Sequence, residues 1–226
     1  MTLSTEQRPG WPEIFIGLAV FGVTGFGGGL LLVLLGIDPV ISALIFMALS
    51  GAAAAAGFLA VGLTRRLSWH ALGLRPTSRR WLLIGTATGL GAFLVKGLAV
   101  AIYVALFGKG LNPQDIYGAG GSGGLWTILA GTFLLGIVTP IGEELLFRGV
   151  VANALLRYGP FIGVTASALI FALMHGVNIV FPAAVVAGLA CGEIFRRSGS
   201  VYPAILVHVV FNLPTIPVMA LIATAQ

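Results

Sequence analysis

The chain has 226 residues, 58% of them hydrophobic and only 8% charged, with a mean hydropathy of +1.05 and a net charge of +5. Those values exclude a water-soluble globule, and the basic residues sit beside apolar runs, where they orient helices and meet anionic lipid, so no nucleic-acid partner is indicated. The apolar runs exceed ~20 residues and lack period-two alternation, which implies helices rather than a barrel, because lipid leaves no partner for unpaired backbone groups. The expectation is all-α: one integral membrane domain over residues 1–226, a polytopic helix bundle of about seven spans.

Met1 to Gly10 is polar. Trp11 and Pro12 open a first span running to about Gly36; it lacks a small-residue cleavage site and is expected to stay as a helix. Within it Gly25 and Gly29 have the small-xxx-small spacing that lets backbones approach. Asp38-Pro39 turns the chain into a second span, about Val40 to Leu63. Thr64 to Arg80 holds Arg65, Arg66, Arg75, Arg79 and Arg80, with Leu67, Trp69, Leu72 and Leu74 spaced to lie along a membrane interface. The excess of arginine places this loop, and with it the amino terminus, in the cytoplasm.

Trp81 to Phe107 reads as a third span, in which Lys96 is an oddity, taken as a snorkelling or paired side chain. Gly108 to Gly124 reads as a glycine-rich outer loop. Leu125 to about Arg157 is longer than one crossing needs, and Pro140 is expected to bend it by removing a backbone donor. A fifth span over about Phe161 to Val180, a short sixth over Pro182 to Phe195 and a seventh over Val201 to Ile222 complete the count. Arg196 and Arg197 fall on the inner side, and the carboxyl terminus outside. Glycine, alanine and arginine usage points to a bacterial inner membrane. Cys191, the single cysteine, excludes an internal disulfide and a multi-cysteine metal site.

Chemistry has few places to reside. Glu143, Glu144 and Arg148 lie in a greasy run, where an ionisable side chain costs roughly 2.5–3.5 kcal/mol at mid-bilayer and therefore faces a protein interior or a wet cavity. Glu144 and Arg148 are spaced to pair along one helix face, which leaves Glu143 about 100° away without a local cation. A surface ion pair at a helix end is the plain alternative. Downstream, Phe171 precedes His175 by one turn and His208 precedes Asn212 by one turn. Polar groups on three separate helices meet at least cost around one internal cavity. His70 lies in the basic loop and reads as solvated.

In order, Glu143-Glu144 with Arg148, Phe171 with His175, and His208 with Asn212 resemble the three motifs of the CPBP family, the CAAX-prenyl-protease and bacteriocin-processing intramembrane proteases. The protease-like core spans residues 125–222; upstream, the likeness is confined to hydrophobic layout and the Leu72-Gly73-Leu74-Arg75 loop. The residues themselves suit peptide hydrolysis. Withdrawn from bulk water, Glu143 is a stronger proton acceptor and the natural base for water. His175 would hold the same water, and His208 with Asn212 would donate to the oxyanion, where one donor is worth roughly 3 kcal/mol in known hydrolases. Glu144 and Arg148 take supporting parts. The resemblance implies the same assignment for Glu143, His175, His208 and Asn212. It implies prenylated CAAX-type ends as substrates in eukaryotic relatives and peptide processing or immunity in bacterial ones.

The expected activity is therefore that of an intramembrane endopeptidase cutting a membrane-associated or lipidated peptide. A metal-free scheme is preferred, with zinc on Glu143, His175 and His208 as the alternative. Two rivals stand beside it. One is a non-catalytic membrane scaffold or immunity protein that grips hydrophobic peptides; the other is a transporter relaying protons through Glu143, His175 and His208. Straight upright helices would leave His175 about 21 Å along its span and His208 about 10 Å along its own, so the two would not be level without tilt, a bend or a displaced helix start.

Overall fold

Proline, glycine and aspartate set the helix ends in the computed structural model, which describes residues 8–108, 110 and 115–224. Helix α1 (Trp11–Leu34) begins where the Glu13 carboxylate accepts from the Gly10 N–H at 2.7 Å, closing a free backbone donor of the first turn. The same carboxylate meets Arg65 Nε at 2.6 Å, tying the start of α1 to the end of α2 (Pro39–Arg65). Asp38 caps α2 in turn, accepting from the Val40 and Ile41 N–H groups at 2.9 and 3.1 Å. Of the polar amino-terminal stretch, Met1 to Gln7 lies outside the described residues, and Gly10 is held by Glu13.

After α3 (Arg79–Phe107), the stretch expected to be an outer loop holds a short helix, α4 (Asp115–Ser122). Helix α5 (Leu125–Tyr158) is one continuous run with two wide π turns, Leu134–Val138 and Phe147–Ala152. Then come α6 (Pro160–Met174), α7 (Phe181–Ser198), α8 (Val201–Asn212) and α9 (Thr215–Thr224). Five described spans are long and apolar enough to cross a membrane: α1, α2, α3, α5, and α8 with α9 taken as Val201–Leu221. The count of about seven is not reached on those criteria. Helix α6 is apolar but has only 15 residues, and α7 ends in Arg196 and Arg197.

Small residues draw the helices together. A Cβ on Gly57 of α2 would lie 2.5 Å from the Gly17 carbonyl oxygen of α1, and Gly29 of α1 backs onto the Phe46 ring. The closest approach is between α2 and α5, where a Cβ on Gly142 would stand 1.9 Å from the Gly51 carbonyl oxygen. Contact at that range trades side-chain bulk for backbone dispersion, the usual solution where lipid removes the hydrophobic drive between helices.

The arginine-rich loop differs from expectation. Leu72 is fully buried and Leu67 nearly so, both in the main apolar core, instead of lying along a membrane interface. Trp69 alone of that set is well exposed, and its ring stacks on Phe58 at 5.7 Å. The loop is pinned from below: Gly73, at φ +82°, accepts from the Val201 N–H at 3.0 Å, and the Arg75 carbonyl accepts from Ser200 Oγ at 2.8 Å. It thus fixes where α8 begins.

Candidate active site

Pro140 follows closely on the first wide turn of α5 and accounts for it. In the wide register that Thr139 N–H makes to the Leu134 carbonyl, the next N–H would serve Leu135, but proline has none. The Leu135 carbonyl instead accepts from Asn212 Nδ2 of α8 at 3.3 Å. The second π turn is closed the same way, with Asn153 Nδ2 donating to the Gly149 carbonyl at 3.1 Å and to the Ala71 carbonyl at 2.7 Å. Between these turns lies Thr139–Leu146, which carries both glutamates.

Glu143, Glu144 and Arg148 are all buried, so the surface ion-pair alternative does not hold. Arg148 Nε lies 3.0 Å from Glu144 Oε2, an ion pair whose geometry is not that of an aligned hydrogen bond. The rest of the guanidinium is held by the Gly188 carbonyl of α7 at 3.2 Å and by the Phe171 ring, 4.9 Å beneath its carbon. Arg148 Nη1 has no hydrogen-bond partner among the described residues. The other oxygen of Glu144 meets His208 Nδ1 at 2.7 Å. That bond fixes the ring: Nδ1 carries the proton toward the carboxylate, and Nε2 is turned toward Glu143, 3.8 Å from its Oε2.

Arg148 pairs with Glu144, so Glu143 has no arginine partner on its own helix, as the spacing implies, but it does have neighbours from other helices. Beyond His208, its Oε1 accepts from Ser50 Oγ of α2 at 2.8 Å. Ser50 was not singled out in the sequence, although it is a hydroxyl immediately before the small-residue run of α2 and one residue from the Gly51 contact.

His175 is not inside a helix as the fifth span implied. Helix α6 stops at Met174, His175 is its cap, and Gly176 at φ +79° turns the chain out of it. Asn178 Nδ2 donates to the His175 carbonyl at 2.7 Å, which fixes the turn. His175 Nδ1 is satisfied by the Phe171 carbonyl at 2.9 Å, leaving Nε2 for the space beyond. The two imidazoles flank one ring, with centroids 4.7 Å (His175) and 5.7 Å (His208) from that of Phe171. His175 still lies a whole helix from the start of α6 and His208 about two turns from the start of α8, so it is the placement of the two helices around Phe171 that brings the imidazoles together.

These groups share a cavity of about 630 Å³, onto which Ser50, Glu143, His175, His208 and Asn212 all open. Glu144 and Arg148 lie behind it, supporting His208. The three polar islands read from sequence thus meet on one cavity, joined there by Ser50 of α2. Among the described residues, the set of three donors that approach within 4.8 Å of one another is Glu144, Cys191 and His208, and differs from the zinc set read from sequence. It fits a cation poorly: Arg148 already neutralises Glu144, and Cys191 Sγ is turned to the Ala204 carbonyl at 3.6 Å. Glu143, His175 and His208 do not converge that closely, although both imidazoles have Nδ1 tied off and Nε2 turned outward, the usual orientation of metal-binding histidines.

A helical membrane bundle with a buried carboxylate–imidazole cluster opening on an internal cavity has the makings of an intramembrane hydrolase. Residues 124–214 match the family model described as Type II CAAX prenyl endopeptidase Rce1-like. Over those residues the chain is similar to that family of CAAX proteases, in line with the resemblance its three motifs carry. No curated protein and no solved structure matches the chain.

Proposed function

We propose that the protein is an intramembrane endopeptidase that hydrolyses a peptide bond near the end of a membrane-associated or lipidated peptide, with Glu143 activating water. The observation that carries this reading is the relay Arg148–Glu144–His208–Glu143–Ser50, buried along one side of the cavity. A gap of 3.8 Å between His208 Nε2 and Glu143 Oε2 is too long for a direct hydrogen bond and suits one oxygen shared between them. Glu143 takes the proton of the attacking water and returns it to the leaving amine. His175 Nε2 orients that water. His208, its Nδ1–H held by Glu144 and its Nε2 carrying a proton throughout the step, donates to the oxyanion, with the second N–H of Asn212 beside it.

The experiment is to incubate purified protein in nanodiscs with membrane-anchored peptides and to read new termini by mass spectrometry. Products from the wild type that are absent with Glu143→Gln support hydrolysis. Biological activity that survives Glu143→Gln would favour the scaffold or immunity reading instead.

Ser50 gives a finer check. A hydrogen bond to a charged group is worth about 1.5–3 kcal/mol, and losing this one frees the Glu143 carboxylate to rotate. Ser50→Ala is expected to lower kcat about tenfold with KM little changed. Unaltered kcat would remove Ser50 from the site.

Should a metal take part, Glu143, His175 and His208 would hold it, and it would supply Lewis acidity to the substrate carbonyl. We favour the metal-free scheme. Metal analysis is expected to find no stoichiometric zinc, with activity unaffected by chelators; zinc at one per chain, lost together with activity, would reverse that preference.

A further inference from the structure

Lys96 remains outside the relay, yet it opens on the same cavity. Its ammonium lies between the Phe93 and Phe211 rings, 4.7 and 4.5 Å from their centroids. It donates to the Phe211 carbonyl at 3.2 Å and reaches Thr215 Oγ1 at 3.5 Å. No carboxylate pairs with it among the described residues, so its counter-charge is not built into the fold described. An ammonium has three N–H donors, and these two oxygens engage two of them. The surrounding wall, with Leu94, Val100, Val218 and Met219, is apolar. A cation in such a wall is costly unless something anionic joins it.

Resting on the peptidase reading, we infer that Lys96 is the anchor for the terminal carboxylate of the peptide substrate. Phe211, whose carbonyl holds the amine, follows His208 by three residues on α8, so the ammonium lies about one turn, roughly 5–10 Å, beyond the oxyanion donor. An extended peptide covers about 3.3–3.6 Å per residue. A carboxylate on Lys96 therefore brings the bond about two or three residues from the chain end to Glu143 and His208. Neutral side chains between those points meet the apolar wall, and the ion pair completes the cation only when substrate is bound. Lys96 is in this sense a measuring residue: it selects a free end and sets the distance to the cut.

Binding tests this separately from cleavage. A fluorescent hydrophobic peptide is made with a free carboxylate or with a carboxamide end and titrated into Glu143→Gln protein in nanodiscs. The acid is expected to bind at least about tenfold tighter than the amide, as charge-assisted hydrogen bonds do relative to neutral ones. Lys96→Met in the same background should bind both peptides at the affinity of the amide, and Lys96→Arg should keep part of the preference. Equal binding of acid and amide before any change at Lys96 overturns the inference, as does a preference that survives Lys96→Met. A third peptide, amidated but ending in glutamate, separates chain end from side chain: binding it as tightly as the acid would overturn recognition of the terminus. Failure of the wild type to cut any peptide would sink the peptidase reading and leave this binding result to stand or fall by itself.

Discussion

Glu143→Gln protein is expected to fold and to bind peptide, but to cut it about 10²–10⁴-fold more slowly than the wild type, the range that a positioned general base contributes. The substitution is isosteric, and the amide oxygen of glutamine can still accept from Ser50 Oγ, now 2.8 Å from the carboxylate. What disappears is the proton acceptor 3.8 Å from His208 Nε2. The stability of the bundle should change little, since Arg148 is already paired by Glu144 and gains no unmatched charge. Single-turnover cleavage beside a thermal melt in the same detergent reads both effects. A rate within about threefold of wild type would deny Glu143 the role of base, and loss of folding would mean that its charge is structural.

Arg148→Met should be the more damaging change to stability. The guanidinium is 1% exposed and its partner Glu144 is fully enclosed. Truncating it leaves a carboxylate in an enclosed interior with no cationic side chain beside it, among the described residues, other than His208, and breaking a buried pair from one side costs about 3–5 kcal/mol. The stacking on Phe171 and the contact with the Gly188 carbonyl go with it, which loosens α7 from α5. Adding Glu144→Gln to Arg148→Met removes the stranded charge, so the double variant is expected to melt above the Arg148→Met single variant. A denaturant or thermal series in micelles measures the cycle. If Arg148→Met costs less than about 1 kcal/mol, the ion pair does not hold the site together.

Much of the site was legible because its chemistry is expensive. Glutamate, arginine and histidine inside apolar runs stand out by cost alone, and the three motifs led to six residues that the structure gathers on or directly behind one cavity. Ser50 escaped because a single hydroxyl in a helix is cheap and its partner is far away in the chain; only the Gly51–Gly142 contact puts it beside Glu143. His175 was placed inside a helix because the apolar run continues past it to Val180, whereas the turn there depends on Gly176 and on Asn178 bonding back to the His175 carbonyl. Leu67 and Leu72 were assigned to an interface by spacing, which identifies an apolar face but not what covers it. Helix α4 was missed because glycine-rich composition argued for a loop, while the helix forms against α2 and α9, whose contacts composition does not report.

The way α5 is wound has a consequence for anyone altering it. The eight residues Thr139–Leu146 are flanked by segments that each hold extra chain per revolution, so their azimuth is not inherited from Leu125–Phe133 or from the end at Tyr158. A helical wheel drawn straight through the run assigns the wrong side to everything past the first wide turn. Deleting one residue between Leu134 and Val138 would restore ordinary winding there and leave the glutamates on nearly their present side, whereas a deletion in an ordinary turn would, at 3.6 residues per revolution, swing them by about 100° relative to one neighbour or the other. Register in this helix is set by what it leans on, and it must be edited with those supports in view.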